Sequence, residues 1–263
     1  MIRQTIKVGN SAGVLLPRKY LGNLVEITIK SLNKEEIKEQ ILDIAKPYLR
    51  YIIGIYLVGS YARNENEADS DIDIVIVTTK QINIKEVKNY HIICLEYNNL
   101  IKELGENIIS IYPMLMEAEV ILNEDLLKNL LKKSVTKKNL EWHLKTSKSA
   151  LGVIRKALET EEKELIANQA IIYSLMLRLR EIYLADCILD KKIGSIKGLM
   201  EYAKRLKIIK KLYKAYKESR DKNKVITKIN VEEIKEGYEF VKEKLKKQEA
   251  RINELKEEKK TIR

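Results

Sequence analysis

Asp71-Ile72-Asp73 sets two carboxylates two residues apart at the head of an apolar run that continues Ile74-Val75-Ile76-Val77. Side chains alternate along a strand, so both acids fall on one face, about 6–7 Å apart along the backbone, and Ile72, Ile74 and Ile76 take the other. Two carboxylates aimed together repel unless a cation sits between them, so the pair reads as a divalent-metal site. Asp71 alone would suit an ordinary loop-to-strand junction. Asp73 would not, because a carboxylate buried unpaired in an apolar strand costs several kcal/mol. Upstream, another apolar run closes on Gly59-Ser60, then Tyr61-Ala62-Arg63 and a six-residue acidic loop lead to Ser70. Glycine lets backbone approach a phosphate without a side-chain clash, and Ser60 can donate to a phosphate oxygen. Arg63 is a phosphate clamp or a brace for the acidic loop. Ser70 caps the turn or hydrogen-bonds the carboxylates.

Two strands must position these groups. Tyr51 to Val58 is apolar almost throughout, which implies cover on both faces. Before it, Asn33 and Glu36 form a capping-box pattern opening a helix to Ala45, with Ile37, Ile41, Ile44 and Ala45 as its stripe and Pro47 at its end. A further strand, Tyr90 to Tyr97, carries His91 near its start and Glu96 toward its far end. A helix over Asn98 to Leu104 and a short strand over Val120 to Leu122 follow. Glu117 and Glu119, just ahead of that last strand, stand outside the expected site.

G-S-x-A-R followed by S-D-x-D before an apolar strand resembles the polymerase-beta-type nucleotidyltransferase superfamily, and most closely its minimal, MNT-type prokaryotic members. The resemblance implies transfer of a nucleoside monophosphate from an NTP, ATP above all, with Mg2+ as cofactor, two ions expected and Mn2+ an alternative. It implies Asp71 and Asp73 as metal ligands and Gly59, Ser60, Arg63 and Ser70 as nucleotide contacts. Oxygen ligands suit magnesium, and a pair of ions can clamp the attacking and leaving oxygens of an in-line displacement. The family places a third carboxylate on a neighbouring strand. Here Glu96 is the candidate, Asp69 lies in the loop, and His91 holds the natural position as a ligand, a base or a structural histidine.

At the N-terminus, Thr5 to Val8, Val14 to Leu16 and Val25 to Ile29 read as short strands, too few to bury a core without a second copy or a docking surface. Gly9-Asn10-Ser11, Val14, Leu16 and Pro17 resemble the AbrB-like swapped-hairpin family, which implies a homodimer and DNA contacts from Arg3, Lys7, Arg18 and Lys19, or a hairpin that only dimerises. Beyond Asn123 the chain turns helical. The expected helices run from Asn123 to about Lys133, Lys138 to Leu158, Glu161 to Leu189, a shorter one ending near Lys211, and a last one from Asn230. Its seam of Val231, Ile234, Tyr238, Val241, Leu245, Ile252 and Leu255 is interrupted at Gln248. The arrangement is similar to HEPN-type or substrate-binding helical domains. Catalytic HEPN members carry an arginine four to six residues before a histidine, and Arg178, Arg180 and Arg220 have none there, which argues against a nuclease. Tyr173, Tyr183, Tyr213 and Tyr216 either stack on a base or pack the bundle.

The 263-residue chain is therefore expected to be α+β, with a hairpin element over 1–30, a nucleotidyltransferase domain with a small mixed sheet over 31–123, and a basic helical, acceptor-binding bundle over 124–263. The net charge of +12 divides unevenly, at +4, −6 and +14 over those segments. The metal-site segment is acidic and both flanks are basic, as a polyanionic partner favours, although lysine-rich surfaces also arise without one. No apolar run approaches the roughly 20 residues of a membrane span. With no secretory signal and with Cys94 and Cys187 reading as buried free thiols, the expected location is the cytoplasm. The acceptor, whether protein, RNA or small molecule, is left open. The competing reading is a DNA-binding regulator or antitoxin whose nucleotidyltransferase fold binds nucleotide without turning it over.

Overall fold

A computed structural model describes residues 6–25, 32–67, 70–85, 87, 89–160, 167–222 and 227–255. The central element is a four-stranded mixed sheet in the order β5 (Tyr90–Glu96), β4 (Ile72–Thr78), β3 (Ile52–Val58), β6 (Glu119–Leu122). Strand β3 runs antiparallel to both β4 and β6, whereas β4 and β5 are parallel. The two apolar runs form the middle of the sheet because both their faces are covered, the condition under which continuous Val/Ile strands occur.

One face packs on helix α1 (Lys34–Ala45), whose Ile37, Ile41 and Ala45 meet Ile55, Leu57, Ile72, Ile74 and Ile76. Its start is the expected capping box: Asn33 accepts the Glu36 N–H, and Glu36 accepts the Asn33 N–H, both at 2.9 Å. The other face supplies Tyr56, Val58, Val75 and Val77 to a core that continues through the helical half. Apolar packing is thus unbroken across the boundary drawn at residue 123. The Tyr56 hydroxyl reaches that boundary, donating to the Asn123 carbonyl at 2.9 Å, and burial pushes its pKa up to about 12.

After β3 comes the one-turn helix α2 (Gly59–Ala62). Helix α3 (Tyr97–Glu106) and the short α4 (Tyr112–Met116) link β5 to β6, and α5 (Glu124–Leu131) follows. The bundle comprises α6 (Lys137–Thr160), α7 (Gln169–Leu189), α8 (Ile196–Tyr202), α9 (Ile209–Lys222) and α10 (Val231–Asn253). Helix α7 starts at Gln169, not Glu161, because Asn168 caps it by accepting the Ala170 N–H at 2.8 Å. The single helix expected to end near Lys211 is two, since the turn at 203–208 separates α8 from α9, and Gly198 lies inside α8. No helix among the described residues is long and apolar enough to cross a membrane.

At the N-terminus, β1 (Ile6–Val8) pairs antiparallel with β2 (Ser11–Gly13) around Gly9, whose φ is +60°. The second strand is thus Ser11–Gly13 and not Val14–Leu16, because a two-residue turn at Gly9-Asn10 returns the chain at once. Among the described residues here, Ile6, Val8, Leu15, Leu21, Leu24 and Val25 are exposed. Of the expected third strand, 26–29 lie outside the described residues and Val25 is not in a strand.

Candidate active site

Register builds the site. Val58 of β3 lies opposite Asp73 of β4, so the residue after Val58, Gly59, leaves the sheet beside the Asp73 carboxylate. Gly59 has φ +72°, and a Cβ there would fall well inside contact distance of Asp73 Oδ2. Glycine is needed twice over at this position, for the left-handed backbone and for the space the carboxylate fills. Asp73 shares its face with Val75 and Val77, yet as the strand's second residue it reaches the sheet's rim and its side chain is 34% exposed. Asp71, just ahead of β4, is exposed.

Parallel pairing sets His91 of β5 directly beside Asp73, and its Nδ1 lies 3.0 Å from Asp73 Oδ1, so the carboxylate accepts from the imidazole N–H. Glu96 does not join them. It pairs with Thr78, five residues up the strand or about 16 Å away, and closes β5 at the start of α3, where it accepts from Asn99 at 3.3 Å. Parallel strands keep their starts together, so a residue late on β5 cannot reach the start of β4.

Glu117, expected to stand outside, is instead part of the site. Leu57 pairs with Glu119 on β6, which brings Glu117 level with Gly59. The Gly59 N–H donates to Glu117 Oε1 at 2.7 Å, and Arg63 Nη1 donates to Glu117 Oε2. Arg63 Nε donates to Glu65 at 3.0 Å. Burial disfavours the guanidinium charge, but Glu117 and Glu65 outweigh it and raise the Arg63 pKa. Of its two sequence readings, Arg63 is arranged as a brace. Ser70 likewise takes the capping role, its Oγ accepting the Glu67 N–H at 2.8 Å. Ser60 is half-buried, and its carbonyl accepts the Glu65 N–H at 2.8 Å. Lys34 is a further cation at this rim, donating to Glu119 and, at 3.4 Å, to the Ala62 carbonyl. Glu117 could have been found only by recognising β6 as an antiparallel neighbour of β3, which a four-residue strand scarcely signals.

Elsewhere, Lys7, Arg18 and Lys19 are exposed on the hairpin segment, and Arg3 and Asp69 lie outside the described residues. Tyr173 and Tyr216 stack on each other with ring centroids 5.1 Å apart, Tyr213 is 6.3 Å from Tyr216, and the Tyr183 hydroxyl accepts the Ser195 N–H at 3.1 Å. These rings pack the bundle. Cys187 is buried, but Cys94 is only partly so, and burial raises both thiol pKa values.

A mixed sheet that presents a glycine-led turn and two aspartates at one rim defines a nucleotidyl-transfer fold. Residues 34–173 match the model of the nucleotidyltransferase domain, more than half of the chain, and the protein belongs to that family. Among solved structures it is similar to a nucleotidyltransferase-like protein from Exiguobacterium sibiricum 255-15, with 12% identity over 81% of this chain and 75% of that one, at a TM-score of 0.39. No curated protein matches it in sequence.

Proposed function

We propose that the protein is a Mg2+-dependent nucleotidyltransferase that moves a nucleoside monophosphate from ATP to an acceptor presented by the helical half. The observation that carries this reading is the Val58–Asp73 register, which sets Gly59 beside Asp73 at an open rim, with Asp71 exposed just ahead of the strand. Asp71 and Asp73 offer hard oxygen donors at that rim, and two carboxylates plus phosphate and water oxygens fit one magnesium ion. Among the described residues no group of three or more His, Cys, Asp and Glu side chains is placed to hold a metal, so phosphate and water oxygens would complete the coordination. When bound, Mg2+ would neutralise charge on the triphosphate, a function Mn2+ could also serve.

In the transfer, an acceptor hydroxyl oxygen bonds to the α-phosphorus as the bond from that phosphorus to the bridging oxygen breaks. Pyrophosphate leaves with the electron pair, and the hydroxyl proton passes to solvent. The chain's contribution is positional. His91 holds one oxygen of Asp73, Gly59 leaves room for the other, Ser60 donates to a phosphate oxygen, and Arg63, held by Glu65 and Glu117, keeps the turn in shape. Calorimetry with ATP, with and without Mg2+, tests this directly. Mg2+-dependent binding that is lost when Asp71→Asn and Asp73→Asn are combined supports it, and labelled ATP with cell lysate then identifies the acceptor. Absence of such binding in the intact chain sinks it.

A second reading is favoured because among the described residues no third acid joins Asp71 and Asp73 in a metal-holding group, and because Glu117 already occupies the Gly59 N–H and Arg63. In it the fold is inactive and the protein is a DNA-binding regulator or antitoxin, dimerising through the exposed apolar hairpin and touching DNA with Arg3, Lys7, Arg18 and Lys19. Deleting residues 1–30 should then abolish a salt-sensitive shift of promoter DNA. An intact chain that shifts nothing at low salt refutes this alternative.

A further inference from the structure

We propose that a cleft in the helical half, between α6, α7 and the turn at Asn107 to Ser110, binds a single nucleotide through its phosphate and base. This goes beyond the reading above, since the cleft shares no residue with the Asp71–Asp73 rim.

The cleft measures about 410 Å³, within the range of small-molecule sites. Its walls carry Trp142, Arg178, Arg180 and Glu181. Trp142 is the chain's single tryptophan and is 56% exposed, although its neighbours Leu140 and Leu144 are buried. A large flat ring left at a cleft mouth is a stacking platform for a base, a contact every nucleobase can make.

The polar wall asks for an anion. Arg178 is only 14% exposed, and its Nη1 meets Glu181 at 2.7 Å. Its Nε is the one buried side-chain nitrogen or oxygen among the described residues without a hydrogen-bond partner. An unsatisfied donor on a charged group is costly, and such exceptions mark places where an acceptor is missing. Arg180 also lines the cleft, is exposed, and forms no ion pair among the described residues. Two guanidinium groups thus face one carboxylate, leaving a net positive wall suited to the oxygens of a phosphate. His143 is not available to the ligand. Its Nε2 donates to Gln248 Oε1 at 2.7 Å and its Nδ1 accepts from Ser147 at 3.4 Å. Phosphate on the arginines and base on the indole make a nucleotide, either free or as the terminal residue of an RNA.

Because Trp142 is the only tryptophan, its fluorescence reports this cleft alone. Titrations in EDTA, which removes Mg2+-dependent binding at the aspartates, would use AMP, adenosine and a short single-stranded RNA. Saturable quenching by AMP identifies a free nucleotide as the ligand, and quenching by the RNA only identifies a chain terminus; either supports the proposal. Arg180→Gln, at an exposed position that leaves the fold intact, should weaken binding about tenfold. The combined Asp71→Asn and Asp73→Asn variant should quench like the wild type, so failure of the transferase reading leaves this result standing. No quenching by AMP or RNA, equal affinity for adenosine and AMP, or equal affinity in Arg180→Gln each overturns it.

Discussion

Gly59→Ala is the perturbation that separates a shaped site from a merely folded one. A non-glycine residue held at φ +72° costs about 1–2 kcal/mol. The added methyl also collides with Asp73 Oδ2, and moving that carboxylate breaks its 3.0 Å bond to His91, a further loss of about 0.5–1.5 kcal/mol. Together these predict destabilisation of about 1.5–3.5 kcal/mol in urea or guanidinium unfolding. Mg2+-dependent ATP binding should fall further than stability does, because Asp73 itself is displaced. Gly152→Ala is the matched control. It lies inside α6 with nothing within 4 Å of the new Cβ, so it should stabilise by about 0.5–1 kcal/mol and leave ATP binding unchanged. If Gly59→Ala matches the wild type in both unfolding midpoint and ATP affinity, the account of the turn is wrong.

Three further outcomes follow from the packing. Gln248→Leu restores the apolar seam of α10 yet should destabilise by about 2–3 kcal/mol, measured by chemical unfolding, because it strands buried groups. The lost bonds are those from His143 at 2.7 Å, to the Ile182 carbonyl at 2.7 Å and to Asp186 at 2.9 Å. Glu117→Ala, which leaves the Gly59 N–H and the Arg63 Nη1 unpaired, should cost about 1–3 kcal/mol in the same assay, and an unchanged midpoint would remove Glu117 from the site. In acid, the Lys211 bond and then the Asn230 N–H hold Glu233 below its ordinary value of 4.5. A lowered native pKa contributes stability that is complete above pH 4.5 and is lost as pH falls through the depressed value. Glu233→Gln should therefore unfold at a midpoint less sensitive to pH below 4.5 than the wild type, with the two curves parallel above it.

Local patterns were legible wherever neighbours in sequence settle the matter. The Asn33–Glu36 capping box, the α1 stripe, both central strands and the Gly59-Ser60 turn could be read directly, because each rests on spacing within a few residues. The start of α7, the split between α8 and α9 and the true second strand of the hairpin were misplaced. There the deciding events were a single cap, a short turn and a two-residue return, features that weaker periodicity does not register.

Gln248 shows the same divide within one helix. By period it breaks the α10 seam, and only the packed bundle reveals His143, Ile182 and Asp186 as its partners. At the candidate site, the chain alone put a glycine-led turn before the two aspartates and set Asp73 on a strand face, since strand alternation and turn chemistry are local. The strand, however, begins at Ile72 and leaves Asp71 just ahead of it. Which other residues stand beside Asp73 depended on how strands pair. Parallel pairing of β4 and β5 seats His91 there and carries Glu96 away, while antiparallel pairing of β3 and β6 brings in Glu117 from more than forty residues downstream. Strand order and register are collective outcomes of burying both faces of the sheet, so they belong to the tertiary structure and not to any stretch of the sequence.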